Sequence, residues 1–148
     1  GDVYKRQLVG TAGTDLIGGN AGNDMITGGD GGDILIGGSG ADHFVYTSVN
    51  TTGVDTILDF TPKVDVLDFA SASFGSGLAA GGASKGTLAA SHFTSNSLGS
   101  ASGNSAQFIY NTSNGTLWFD ADGTGSKSAI QIASLGNASL AYSDIHLV

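Results

Sequence analysis

Large apolar residues stand nine positions apart along the first third of the chain, at Ile17, Ile26, Leu35 and Phe44. Two places before each lies an aspartate (Asp15, Asp24, Asp33, Asp42), and glycines crowd the positions before that. The nonapeptides GTAGTDLIG, GNAGNDMIT, GGDGGDILI and GGSGADHFV share one template, G-G-x-G-x-D-x-U-x, with U large and apolar. Their last three residues alternate apolar and polar, too few for a helix but enough for one rung of a strand. The glycine-rich six before them suit a tight turn with positive φ angles. Turn, strand, turn, strand makes a coil of two nonapeptides, so turns stack on alternate sides and the pattern predicts an all-β, parallel β-helical fold. A glycine-rich linker keeps no phase, whereas glycine, aspartate and apolar residue here hold one period.

In such a stack Asp15 lies against Asp33, and Asp24 against Asp42. Carboxylates held that close repel one another unless a cation sits between them. Calcium suits the gap, being hard, tolerant of irregular geometry and coordinated by about six to eight oxygens. Zinc or copper would want sulfur or imidazole, which these turns do not offer.

The repeats resemble those of the RTX (repeats-in-toxin), or haemolysin-type calcium-binding, proteins, which serralysin-like proteases exemplify. The resemblance implies a calcium-bound, right-handed parallel β-roll holding two or more ions. In the family, one ion takes ligands from repeat positions two, four and six of one turn. Positions one, three and six of the turn one coil later complete the shell, mostly through backbone carbonyls. Carried over, the first site is Thr11, Gly13 and Asp15 with Gly28, Asp30 and Asp33. The second is Asn20, Gly22 and Asp24 with Gly37, Ser39 and Asp42. A third half-site, Gly29, Gly31 and Asp33, needs partners beyond the repeats, for which Asp59 and Asp65 are candidates. Gly10, Ala12 and Asp15, and likewise Gly19, Ala21 and Asp24, would pair with turns further upstream. Thr11 and Asn20 replace the second glycine where a carbonyl is the ligand, and Asp30 adds a charge near the first site.

Composition agrees with this reading. The 148 residues hold twenty-five glycines and one proline, which argues against a helix-rich chain. All thirteen acidic residues are aspartate, a short ligand suited to turns. A net charge of −8 argues against nucleic acid and anionic membranes as direct partners. Without cysteine a disulfide framework is excluded, which leaves metal as the staple. No apolar run is long enough for a membrane-spanning helix. A monomer is expected.

Residues 1–9 depart from the pattern. Gln7-Leu8-Val9 reads as the strand of an earlier repeat, but Arg6 stands where its aspartate belongs, after Tyr4-Lys5. A truncated or spliced end is expected, with 10–45 as the roll and 46–148 as a separate region of capping strands and a small antiparallel β-sandwich. In that region DTILDF (55–60) and DVLDF (65–69) resemble the capping strands that end RTX rolls. Residues 71–106 are mostly Ser, Gly and Ala, too poor in large apolar residues for much of a core. QFIYN (107–111) and TLWFD (116–120) predict a hairpin around Asn114-Gly115, and AIQIASL (129–135) a third strand. Phe108, Tyr110, Leu117 and Phe119 are expected in the core. The loop from Asp120 to Gly125 lacks the spacing and final Glu of an EF-hand; a polar connection and an accessory calcium site both remain open.

No catalytic constellation is present. With no glutamate the HExxH general base cannot exist, GGSGA (37–41) ends in Ala rather than Gly, and GSKS (125–128) lacks the glycine of a P-loop. His43, His92 and His146 are far apart, and His43 is expected to face solvent. The tail DIHLV (144–148) reads both as a final docked strand and, by the resemblance, as an uncleaved signal for a type I (ABC transporter) secretion machine. The expected function is the calcium-binding module of a larger secreted, extracellular bacterial protein, itself without catalysis. The alternative is a calcium-stiffened segment of a surface adhesin or matrix protein.

Overall fold

The computed structural model describes residues 5–49, 52–74, 77–78 and 86–148. Residues 1–4 of the non-matching leader, and 79–85 of the Ser/Gly/Ala-rich stretch, lie outside the described residues. Each nonapeptide contributes one short strand: β2 (Leu16–Gly18), β3 (Met25–Thr27), β4 (Ile34–Ile36) and β5 (His43–Tyr46), preceded by β1 (Gln7–Val9). They alternate between two sheets. β1, β3 and β5 pair in parallel in one sheet, and β2 pairs in parallel with β4 in the other. Ile26, Leu35 and Phe44 point between the sheets and are essentially inaccessible. The three-residue alternation thus delivers one large apolar side chain per rung to the core.

The roll does not stop at residue 45. β6 (Asp55–Ile57) pairs in parallel with β4, and β7 (Val66–Phe69) with β5. Ile57 stands opposite Leu35 and Leu67 opposite Phe44, so the apolar ladder gains two further rungs. The turn before β7 holds Lys63 at φ 68°, three residues after Phe60 and two before Asp65. This is the place that Gly31 fills at φ 109° in its own turn. Gly and, at a cost, a few other residues reach that region, so the turn persists without its glycine.

The remaining chain extends the same two sheets. After a single helical turn, α1 (Ser71–Phe74), come β8 (Gly86–Thr87), β9 (Phe93–Asn96), β10 (Gln107–Asn111), β11 (Thr116–Asp120), β12 (Ile130–Ser134) and β13 (Ile145–Leu147). One sheet runs β1-β3-β5-β7-β13-β8 and the other β2-β4-β6-β12-β11-β10-β9. β10 and β11 form the expected hairpin, with Gln107 opposite Asp120 and Asn111 opposite Thr116. The expected separate antiparallel sandwich gives way to a mixed arrangement, because β12 and β13 pair in parallel with β6 and β7. The cause is the roll itself, whose last rungs would otherwise present unpaired backbone groups.

One hydrophobic cluster runs from Ile26 to Leu147, so residue 45 marks a change in sequence pattern without a break in packing. Its widest part is aromatic. Phe69 lies 4.4 Å from Phe108, centroid to centroid, and Phe74 packs edge-on to Phe69 and Phe119. Phe108, Tyr110, Leu117 and Phe119 are all buried.

Candidate metal centre

Asp33 and Asp42 each use one carboxylate oxygen to tie two coils together. The Asp15 N–H donates to Asp33 Oδ1 at 2.9 Å, and the Asp24 N–H to Asp42 Oδ1 at 2.9 Å, each across eighteen residues. The columns continue past the repeats. The Asp33 N–H donates to Asp55 Oδ1 (3.0 Å, twenty-two residues on) and the Asp42 N–H to Asp65 Oδ1 (3.0 Å, twenty-three residues on). Asp15, Asp33 and Asp55 therefore line one side of the roll, and Asp24, Asp42 and Asp65 the other.

The second oxygens differ in kind. Asp33 Oδ2 and Asp42 Oδ2 are buried without any hydrogen-bond partner. Both sit against glycine, and a Cβ on Gly28 or Gly37 would overlap them. Carbonyls converge on the same gaps: Thr11 O and Gly13 O face Gly29 and Gly31 of the next coil, while Gly28 O faces back toward Gly10. In the other column Asn20 O and Gly22 O face Gly38 and Gly40. An orphaned carboxylate oxygen enclosed by backbone oxygens is an anion without a counter-charge, costly unless a cation completes it. The set is all oxygen and admits no side chain at the glycines, so it fits calcium.

The ends of the columns are satisfied by protein groups. Asp15 accepts from the Thr11 N–H at 2.7 Å and from the Thr11 hydroxyl at 3.1 Å. Asp24 Oδ1 accepts from the Arg6 N–H (3.0 Å) and Nε (3.3 Å), while Arg6 Nη2 reaches Ala21 O at 3.4 Å. The guanidinium thus occupies the carboxylate and carbonyl that the resemblance would give to an ion shared with an upstream turn. At the position-three residues, Asp30 O accepts from the Gly13 N–H and Ser39 O from the Gly22 N–H, each at 2.9 Å. Every such carbonyl keeps a second lone pair. The Asp30 side chain is exposed.

Neither Asp59 nor Asp65 completes the Gly29, Gly31, Asp33 half-site. Asp59 accepts from the Gly37 and Gly38 N–H groups at 2.8 and 2.7 Å, and Asp65 stacks on Asp42, so both belong to the opposite column. The residue above Asp33 is Asp55. Its signal lies in NTTGVDTIL (50–58), which keeps Gly53, Asp55 and Ile57 at template positions but sits out of phase with the period of nine.

Crowding shows in the ionisation of these groups. Burial pushes the Asp55 carboxyl up to about 6, with the neighbouring Asp33 charge adding to it and the hydrogen bond from the Asp33 N–H opposing it. Burial, reinforced by Asp24 and Asp59, raises Asp42, and burial, reinforced by Asp42 and Asp59, raises Asp65. Among the described residues no three His, Cys, Asp or Glu side chains gather as a conventional metal cluster. The columns supply one carboxylate per coil and leave the other ligands to the backbone.

Four copies of the RTX calcium-binding nonapeptide repeat match residues 9–44. These residues are RTX repeats. No curated protein matches the chain. Among solved structures, the AlgE6R3 subunit of the Azotobacter vinelandii mannuronan C5-epimerase is 25% identical, with a TM-score of 0.46 over 98% of this chain and 79% of that one.

Within the RTX turns, Gly37→Ala places a methyl group on Asp42 Oδ2. We expect it to raise the calcium needed for half-saturation about tenfold and to cost about 1–3 kcal/mol. Gly18→Ala has no neighbour within 4 Å and leaves both unchanged, as calorimetry and thermal melting of the two variants will show.

Elsewhere the sequence candidates resolve into structure. His43 does not simply face solvent. Its Nδ1 lies 2.7 Å from Asp68 Oδ2, and His146 Nδ1 lies 4.0 Å from Asp68 Oδ1. Two histidines distant in sequence thus flank one buried aspartate, a proximity set by β5, β7 and β13 lying side by side. His92 Nδ1 lies 2.7 Å from Ala106 O. In the 120–125 loop, Asp120 Oδ1 accepts from the Asp122 N–H and Asp122 Oδ2 from the Lys127 N–H, while Asp122 Oδ1 is buried without a partner.

Proposed function

We propose that this chain is the calcium-folded module of a larger secreted bacterial protein, exported through a type I machine and folding where calcium is plentiful. The observation that carries this reading is the pair of buried, partnerless oxygens on Asp33 and Asp42 at the centre of the RTX turns. A ligand that binds only the folded state stabilises it by RT ln(1 + [L]/Kd). Extracellular calcium modules bind at about 10⁻⁴–10⁻³ M. At cytosolic calcium, far below that range, stacked carboxylates repel and glycine-rich turns remain costly to order. The chain is then suited to threading through a channel. Outside, each ion adds on the order of 1 kcal/mol, and successive sites fold the coils together. The strands of 46–148 act as the cap of the roll, residues 144–148 carry the export signal, and the module contributes binding and folding rather than catalysis.

The test is far-UV circular dichroism during a calcium titration from excess chelator. A cooperative gain of β signal between about 10⁻⁴ and 10⁻² M supports the folding switch. Coincident spectra with calcium and with chelator refute it. For the export step, removal of residues 144–148 should abolish passage through a type I system.

A further inference from the structure

The outer face of the sheet that holds β5, β7 and β13 carries three polar side chains that the calcium columns do not use. These strands lie side by side in parallel, and alternation along each sends Phe44, Leu67 and Leu147 into the core. His43, Asp68 and His146 therefore face outward together. His146 stands directly opposite Asp68, and His43 lies opposite Val66, two places along the same face. Thr87 of β8, opposite His146, shares that face.

Asp68 is the unusual member. A carboxylate on the outside of a sheet is normally solvated, yet Asp68 is 4% exposed. Its Oδ2 lies 2.7 Å from His43 Nδ1, while its Oδ1 is buried without a hydrogen-bond partner and faces His146 Nδ1 at 4.0 Å. Among the described residues no lysine or arginine pairs with it. A buried carboxylate with a free oxygen and no cation is costly. The two imidazoles turn the same nitrogen toward it from either side. Their side chains are 36% and 33% exposed, which leaves a path from solvent.

Two imidazole nitrogens and a carboxylate are donors for a borderline divalent ion such as zinc, whereas calcium takes oxygen. Ligands bound at about 2.0 Å around a tetrahedral ion stand roughly 3.3 Å apart. The two nitrogen–oxygen separations, 2.7 and 4.0 Å, fall on either side of that value. The trio is not drawn up as a closed cluster. Closure needs ring shifts of roughly 0.7 Å, small for side chains with solvent on one side. We propose that His43, Asp68 and His146 form a zinc-class site on the outside of the roll, separate in place and chemistry from the calcium turns. Both histidines bind through Nδ1 and keep their proton on Nε2, Asp68 supplies the charge, and a water completes the fourth position. The ion ties β5, the last regular rung, to β7 and to the C-terminal β13.

The test titrates zinc chloride into the chain by calorimetry in saturating calcium, so that the turns are already filled and the zinc signal is read alone. Wild type is expected to bind a single zinc ion. His43→Gln and His146→Gln should each weaken it by more than about tenfold, the double variant should abolish it, and His92→Gln should leave it unchanged. Nuclear magnetic resonance gives a readout that needs no variant: zinc shifts the ring signals of His43 and His146 and leaves those of His92 in place. Folded wild type that takes up no zinc overturns the site, and so does uptake that the double variant retains. Unchanged affinity in His146→Gln overturns the three-ligand centre. Because uptake is measured on the folded chain, each of these outcomes is separable from the calcium reading of the turns.

Discussion

Asp33→Ala is expected to raise the calcium concentration that half-folds the chain by about a hundredfold, roughly 3 kcal/mol. Asp33 serves two gaps. Its Oδ1 receives the Asp15 N–H and its Oδ2 sits unpartnered against Gly28, while its own N–H is held by Asp55. Loss of the carboxylate removes a ligand from the gap on either side, at about tenfold each. Loss of Leu35, equally buried, costs a similar about 2–5 kcal/mol through the cavity left behind. The two variants separate by stoichiometry: Asp33→Ala binds fewer ions at saturating calcium, and Leu35→Ala binds the wild-type number once folded. A full ion count for Asp33→Ala would remove it from the coordination shell.

The second large effect is an inversion of pH dependence by calcium. The Asp55 carboxyl is raised to about 6 by burial and by Asp33, against about 3.9 in an unfolded chain. The folded state therefore holds the proton more tightly. That contribution to stability is complete below about pH 4 and is lost as pH rises through about 6. Asp42 and Asp65 are shifted the same way. In chelator the β signal should accordingly be larger at about pH 5 than at about pH 7, worth on the order of 1–2 kcal/mol after allowance for solvent screening. With calcium the sign reverses, because protons compete with the ion for the same oxygens and acid raises the calcium requirement. Dichroism at both values, with and without chelator, checks the pair of slopes. Parallel slopes would contradict a shared role of these carboxylates in proton and calcium binding.

Much of this was legible because the repeats are regular. The period of nine places Ile26, Leu35 and Phe44 in the core, and the glycine positions foretell where a side chain would strike Asp33 and Asp42. The hairpin of QFIYN and TLWFD follows from alternation and the Asn-Gly turn. Other features were hidden by changes in spacing. Asp55 follows Asp42 by thirteen residues rather than nine, so periodicity alone passes over it. Hydrogen bonding restores the register, because the Asp33 N–H needs an acceptor whatever the length of the connection. Lys63 carries no sequence mark of the left-handed backbone it adopts. The joining of β12 and β13 to the roll depends on contacts across most of the chain, which local patterns do not encode. His43 and Asp68 meet for the same reason.

The position of β13 bears on the export signal proposed for residues 144–148. Asp144 binds the Lys63 and Ala141 N–H groups, and Ile145 and Leu147 are buried between β7 and β8. Any receptor that reads these residues must meet them while the chain is still open. On that proposal, once the coils close around calcium the address is sewn between two strands of a sheet and can no longer be presented. Folding would then act as a ratchet pawl: each coil that closes outside forbids a step back, and the message is erased by its own delivery.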